Sequence, residues 1–355
     1  MKKLLSFAIG ILLLCGALFG CNKLLNQKAN DGGNKTLTIY NWGDYIDPQL
    51  ITKFEHETGY HVDYETFDSN EAMLTKIRQG GTHYDIAVPS EYTIQRMKKE
   101  HLLEPIDHRK LPNLKYIDPQ FLNLSFDRHN RYSIPYFWGT LGIVYNDQKV
   151  SRKDVSHWSQ LWSPKLKNNI MMIDSARDAM AVALITQHHS VNTTNAKELR
   201  EAADKLDQLT PNIKAVIADE MYMEQNEAAV GITYSGEASE MISVNSHLHY
   251  LVPSEGSNIW FDNMVIPKTA KNKKAAYAFL NFMLDPKNAA QNAEYIGYAT
   301  PNKAAKKYLP KSVTSNQAFY PPKQTMKHLQ VYHDLPLKDI GTYNDLFLEF
   351  KMFKK

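Results

Sequence analysis

Cysteine is nearly absent from this 355-residue chain, which has two: Cys15 inside an apolar N-terminal run and Cys21 at its end. The part that follows therefore offers no thiol for a disulfide, a Cys-ligated metal or a covalent nucleophile. Excess charge is missing too. Lys and Arg number 41 against 38 Asp and Glu, a formal +3, and without a basic stripe nothing favours nucleic acid as a partner. Ser235 sits in Tyr-Ser-Gly with no Gly-x-Ser-x-Gly elbow around it. The pairs His188-His189 and His247-Leu248-His249 have no carboxylate at a zinc spacing such as His-Glu-x-x-His. No catalytic residue, metal ligand or cofactor is expected, and the chain does not read as an enzyme. Gly and Pro stand at 16 each with 43% hydrophobic residues, which excludes collagen-like and disordered readings. What is plentiful is tyrosine, 20 against 14 Phe, a hint of a polar aromatic recognition surface.

Lys2 and Lys3 precede an apolar run from Leu4 to Phe19. The run is shorter than the ~20 residues a spanning helix needs, and with its basic start it reads as a secretory signal. Its end, Leu18-Phe19-Gly20-Cys21, resembles the bacterial lipoprotein signal. That likeness implies a signal peptide over 1–20, cleavage before Cys21 and lipidation at Cys21. The alternative is an ordinary signal peptide in which Cys21 is incidental. Residues 21–35, rich in Asn, Gln, Lys and Gly, read as a flexible tether. The expected place is the extracytoplasmic face of the cell membrane, anchored through lipid.

From Thr36 the order is strand, helix, strand, helix, strand. Leu37 to Tyr40 is β-rich; Asp47-Pro48 opens a helix that Gly59 stops; His61 to Tyr64 alternates; Asn70 opens a helix ended by Gly80-Gly81; Tyr84 to Val88 is apolar, and Pro89-Ser90 begin another helix. Such a βαβαβ pattern predicts a parallel sheet covered by helices. After Ser133-Ile134-Pro135 the pattern restarts, with strands at Ile170–Ile173 and Val230–Thr233, and Met264-Val265-Ile266-Pro267 then precedes a Lys-rich helix from Ala275 to Met283. Two α/β lobes fit the length. Trp158 and Trp162, four apart after Ser156, are read as core packing at a helix start.

In open α/β sheets ligands bind beyond the carboxyl ends of the strands. At those exits the sequence places Trp42 with Tyr45, then Ser90-Glu91-Tyr92, then Ser175 with Asp178, then Tyr234 with Glu237, and the segment before Met264 adds Trp260 with Asp262. Aromatics and carboxylates recur together there, lysine is absent, and Arg177 is the one arginine. That mixture suits an elongated cation with apolar stretches: rings attract ammonium groups by roughly 0.5–2 kcal/mol each and cover methylenes at about 0.8 kcal/mol per CH₂. Ammonium groups leaving water need counter-charges, and Asp178 and Asp262 are the candidate anchors.

These residues resemble those of the spermidine/putrescine-binding proteins of bacterial polyamine ABC importers. The matching stretches are Tyr40-Asn41-Trp42 with Tyr45, Tyr84 to Ser90, Ser133 to Tyr136 with Trp138-Gly139, Ser156 to Trp162, Asp174 to Asp178, Trp260 to Asp262 and Ile296 to Asn302. The resemblance implies a two-lobed periplasmic-binding-protein fold of the second type, α/β, with parallel-type sheets flanked by helices. It implies discontinuous lobes joined by a hinge: 36–138 plus 263–307, and 139–262 plus 308–355. By the same likeness Trp42, Ser90, Tyr92 and Tyr298 line the first lobe, and Asp178, Tyr234, Trp260 and Asp262 the second lobe and hinge. Asp262 would pair with an amine, and Trp260 and Trp42 would sandwich the aliphatic chain. Three positions depart from the family pattern. Ser175 stands where some relatives carry a carboxylate, Tyr234 replaces a common Trp, and His333 falls where relatives have Gln; Glu91 or Glu237 could compensate for Ser175.

The implied function is a substrate-binding lipoprotein, a monomer, that captures spermidine or putrescine and delivers it to ABC permease subunits. Other readings are a binding protein for thiamine or ferric iron on the same fold, and a surface glycoside hydrolase using Asp178 and Asp262 as its acid/base pair.

Overall fold

The computed structural model describes residues 35–217, 227–317 and 319–352. The expected signal peptide, the lipidated Cys21 and all but the last residue of the tether lie outside the described residues.

Strand β1 (Thr36–Trp42) lies between β2 (His61–Phe67) and β3 (Ile86–Ala87) and is parallel to both. The connections are helices with strong local signals. In α1 (Pro48–Thr58) Asp47 caps the Gln49 N–H, Pro48 fixes the first turn, and Gly59 ends the helix in the left-handed region at φ 71°. In α2 (Asn70–Gln79) Ser69 caps the Ala72 N–H. Helix α3 (Glu91–Lys99) is different. Ser90 occupies its N-cap position but makes no side-chain cap hydrogen bond, because that hydroxyl is used elsewhere.

The long strand β4 (Ser133–Asn146) is buried along its whole length and runs antiparallel to β9 (Ser257–Val265). Beyond β4 come β7 (Val230–Tyr234), antiparallel to it, then β5 (Ile170–Ile173) and β6 (Ile213–Ile217), parallel to each other. The full order is β2-β1-β3-β9-β4-β7-β5-β6, with β8 (Leu248–Leu251) on β4 and β10 (Leu329–Gln330) on β9. The sheet is thus parallel toward each end and antiparallel in its middle. The reason is topological: β4 carries the chain out of one core and β9 carries it back, so the two must run in opposite directions.

Two main hydrophobic cores result. The first gathers β1, β3, Leu50 and Phe54 of α1, and Phe279 and Leu280 of α7 (Lys273–Met283). The second gathers Leu141 and Ile143 of β4, Trp158, the apolar α4 (Ala176–Thr186), Leu199 and Leu206 of α5 (Ala196–Asp207), and Tyr343, Phe347 and Phe350 of the C-terminal helix Leu337–Met352. Trp158 is fully buried and donates to the Gly256 carbonyl at 2.8 Å, at the start of a 3-10 helix over Trp158–Trp162. Trp162 packs half-buried against the same core. Val313, Tyr320, Met326, Leu329 and Val331 pack against the first core, whereas Tyr332 belongs to the second.

Candidate functional site

Between the strand exits lies a cleft of about 820 Å³. It collects Trp42 and Tyr45 from the end of β1, Ser90, Glu91 and Tyr92 from the start of α3, and Ser175 and Asp178 from the start of α4. Tyr234 and Glu237 come from the junction of β7 with α6 (Ser235–Val244), Trp260 and Asp262 from β9, and Tyr298 from just after α8 (Pro286–Ile296). One expected residue is not there. His333 lies outside the lining, and its backbone N–H donates to Asn192 Oδ1 at 2.7 Å. Its neighbour Tyr332 lines the cleft instead, a residue the sequence reading passed over. The signal was available in part: Tyr332 is one more tyrosine in a chain rich in them.

Asp262 is buried and accepts two hydroxyls, Ser90 Oγ on Oδ1 at 2.6 Å and Tyr45 on Oδ2 at 2.7 Å. Asn70 orders the first donor, giving its Nδ2 to Ser90 Oγ at 3.0 Å and to the Tyr92 hydroxyl at 2.8 Å. Burial pushes the Asp262 carboxyl up to about 6, against the lowering effect of the Ser90 and Tyr45 hydrogen bonds. Asp178 is likewise buried and held by hydroxyls: Tyr332 on Oδ1 at 2.8 Å, with Tyr234 and Ser175 both on Oδ2 at 2.5 Å. Burial, with the adjacent carboxylate, raises Tyr45, Tyr234 and Tyr332 well above the usual phenol range, so they act as donors. Each carboxylate is oriented by neutral groups, which leaves its charge uncancelled.

A series of rings joins the two acids. Tyr234 meets Trp260 at 6.1 Å between centroids, Trp260 meets Tyr298 at 5.0 Å, and Tyr298 meets Tyr45 at 5.7 Å, all edge-on. Two glycines make room for them. A Cβ on Gly139, which pairs with Trp260 across β4 and β9, would lie 2.4 Å from the indole Cζ2. On Gly236 it would lie 1.9 Å from Cε1 of Tyr298. The Tyr298 hydroxyl donates to Glu237 Oε1 at 2.5 Å. Trp42 donates its indole N–H to the Val88 carbonyl at 3.0 Å and leans on Phe67.

Charge in the lining is one-sided. Nine carboxylate residues meet one arginine, Arg177, among the described residues. Arg177 stacks on Tyr332 at 4.2 Å and donates to Asn192 Oδ1 at 2.9 Å. The segment carrying Tyr332 is fixed from the opposite side, where Arg96 and Lys99 of α3 each reach Asp334 at 2.7 Å. Glu91 is fully buried; its Oε2 accepts the Phe261 backbone N–H at 2.9 Å. His247 and His249 both bond Asp147 away from the cleft, and no group of three metal-ligating side chains is set to hold an ion among the described residues. An acidic slot lined with rings can hold a slender cation, its charges on the carboxylates and its methylenes on the aromatic faces.

A family model described as bacterial extracellular solute-binding protein matches residues 49–321. The spermidine/putrescine-binding periplasmic protein of Escherichia coli (strain K12) is 38% identical over 344 residues, covering 96% of this chain and 96% of its own. Among solved structures, the spermidine/putrescine ABC transporter substrate-binding protein PotD of Streptococcus pneumoniae is 57% identical at a TM-score of 0.84, covering 90% of this chain and all of that one. The TpPotD lipoprotein of Treponema pallidum is 28% identical at a TM-score of 0.79, covering 89% and 99%. These relatives are solute-binding proteins, and the fold is the periplasmic-binding-protein type that the sequence led us to expect.

Proposed function

The chain belongs to the bacterial extracellular solute-binding protein family, and on that footing we propose that its cleft captures polyamines, spermidine or putrescine, for import. One observation carries the reading: two buried carboxylates, Asp178 and Asp262, are oriented by hydroxyls, with no other side-chain partner among the described residues, and joined by a series of aromatic rings. In this reading one ammonium of the ligand sits on Asp262 and another on Asp178. Trp260 and Tyr298 cover the chain between them, with Trp42, Tyr45 and Tyr92 completing the wall. Tyr332 takes the place first given to His333. Ser175 works through Asp178, and Glu237 through Tyr298.

The two cores are the two lobes of this proposal, closing on the ligand about β4, β9 and the segment before Tyr332. The packing of Leu329 and Val331 on the first core supports a return crossing near residue 331 rather than near Lys307. Lipidation at Cys21 after removal of residues 1–20, and delivery to ABC permease subunits, belong to the same proposal; the likeness to a Treponema lipoprotein supports the anchor.

Titration with spermidine and with putrescine, followed by tryptophan fluorescence, tests it, because Trp42 and Trp260 line the cleft. We expect a saturable change with either polyamine well below millimolar concentration. Absence of any saturable response up to about millimolar, where binding is worth only about 4 kcal/mol, would overturn it.

A further inference from the structure

Glu91 has a second oxygen that the fold leaves unused. The side chain is fully buried at the first turn of α3 and lines the cleft. While Oε2 takes the Phe261 N–H, Oε1 has no hydrogen-bond partner among the described residues. An unpaired buried carboxylate oxygen is costly, and a fold tolerates it where a ligand completes the set or where the group is neutral. Three titratable groups act on it among the described residues. Asp262 on β9, one residue beyond the Phe261 that holds Oε2, repels its charge, and Arg177 at the start of α4 attracts it more weakly. Tyr92, next along α3, is a phenol that burial keeps protonated. Burial outweighs the lowering effect of the Phe261 and Glu91 backbone N–H groups and of Arg177, and holds the Glu91 carboxyl up to about 8.

Building on the polyamine reading above, we propose that Glu91 is a third ligand-binding carboxyl group of the cleft, protonated while the cleft is empty and ionised when a ligand ammonium comes against Oε1. The carboxyl O–H bond breaks, its electron pair stays on oxygen, and the proton passes to the buffer. The carboxylate so formed accepts an N–H of the ammonium. A cation lying beside both Glu91 and Asp262 also removes the repulsion between them. Capture then releases a proton, and affinity rises with pH until Glu91 is ionised in the empty protein as well.

Calorimetric titration of the intact protein with spermidine at pH 7.5, in two buffers of different ionisation enthalpy, counts that proton. At this pH a carboxyl titrating near 6, as Asp262 does, carries its charge, whereas one titrating near 8, as Glu91 does, is mostly protonated. The expected release is roughly three-quarters of a proton per ligand, from a group titrating near 8. Glu91→Gln should abolish the release, because the amide has no proton to lose and any exchange at the ligand's own amines is common to both proteins. Binding of spermidine without proton release by the unaltered protein, or release that persists in Glu91→Gln, would overturn this proposal and leave the polyamine reading intact. Failure of the unaltered protein to bind would instead remove the polyamine reading itself.

Discussion

The Tyr332 hydroxyl donates to Oδ1 of Asp178 at 2.8 Å, across 154 positions of chain. The bond ties the segment that re-enters the second core to the first turn of α4, at the wall of the cleft. Removing the hydroxyl strips Asp178 of one of its three hydroxyl donors among the described residues. Tyr332→Phe should therefore lower polyamine affinity at least tenfold, since one hydrogen bond to a charged group is worth roughly 1.5–3 kcal/mol. His333→Ala, one residue along but outside the cleft, should leave affinity unchanged. Calorimetric titration of the two variants side by side separates the roles; equal losses, or the reverse order, would contradict the assignment.

Asp262 is the other anchor in this account. Asp262→Asn keeps the shape and removes the charge, so a bound ammonium loses its buried counter-ion at a cost of roughly 3–5 kcal/mol. The same charge disappears in the unaltered protein when pH falls through about 6, because the carboxyl titrates there rather than in the usual carboxylate range. Affinity should fall steeply from pH 7 to pH 5, and the part of that fall due to Asp262 should vanish in Asp262→Asn. Fluorescence titrations across this range read both effects.

Gly236 leaves no space for a side chain against Tyr298. Gly236→Ala should push the Tyr298 ring into the cleft and weaken binding at least tenfold, while circular dichroism shows the fold retained. A variant with unchanged affinity would mean that the Tyr298 ring does not contact the ligand.

Glu91 also bears on stability. Its folded carboxyl titrates near 8 against an ordinary value of 4.5, so between those pH values the unfolded chain releases a proton that the folded one keeps. The ligand-free protein should thus lose stability as pH rises from about 5 to 8, by an amount on the order of a few kcal/mol. In Glu91→Gln that part of the slope should be missing. Thermal melts at half-unit pH steps provide the check.

Much of the site was legible because strand exits and helix starts carry local signals. Ser90, Asp178 and Tyr234 each follow a short apolar run or open a helix, and the recurrence of rings with carboxylates there nominated them, whereas Asp262 lies within β9 rather than at a strand exit. Tyr332 was not legible in this way, since it lies in an irregular segment whose placement depends on Arg96 and Lys99 holding Asp334 from a distant helix. The antiparallel middle of the sheet was hidden for a related reason. β4 and β9 are both buried runs, and nothing in either says that they cross between the same two cores in opposite directions. Nor does sequence say that Ser90 gives up its capping bond to orient Asp262.

A crystal structure of the protein grown with spermidine tests the central claim most directly. We predict ligand nitrogens within about 3 Å of the Asp262 and Asp178 carboxylates, with the carbon chain lying along Trp260 and Tyr298. Spermidine bound outside this cleft, or inside it but touching neither carboxylate, would contradict the account.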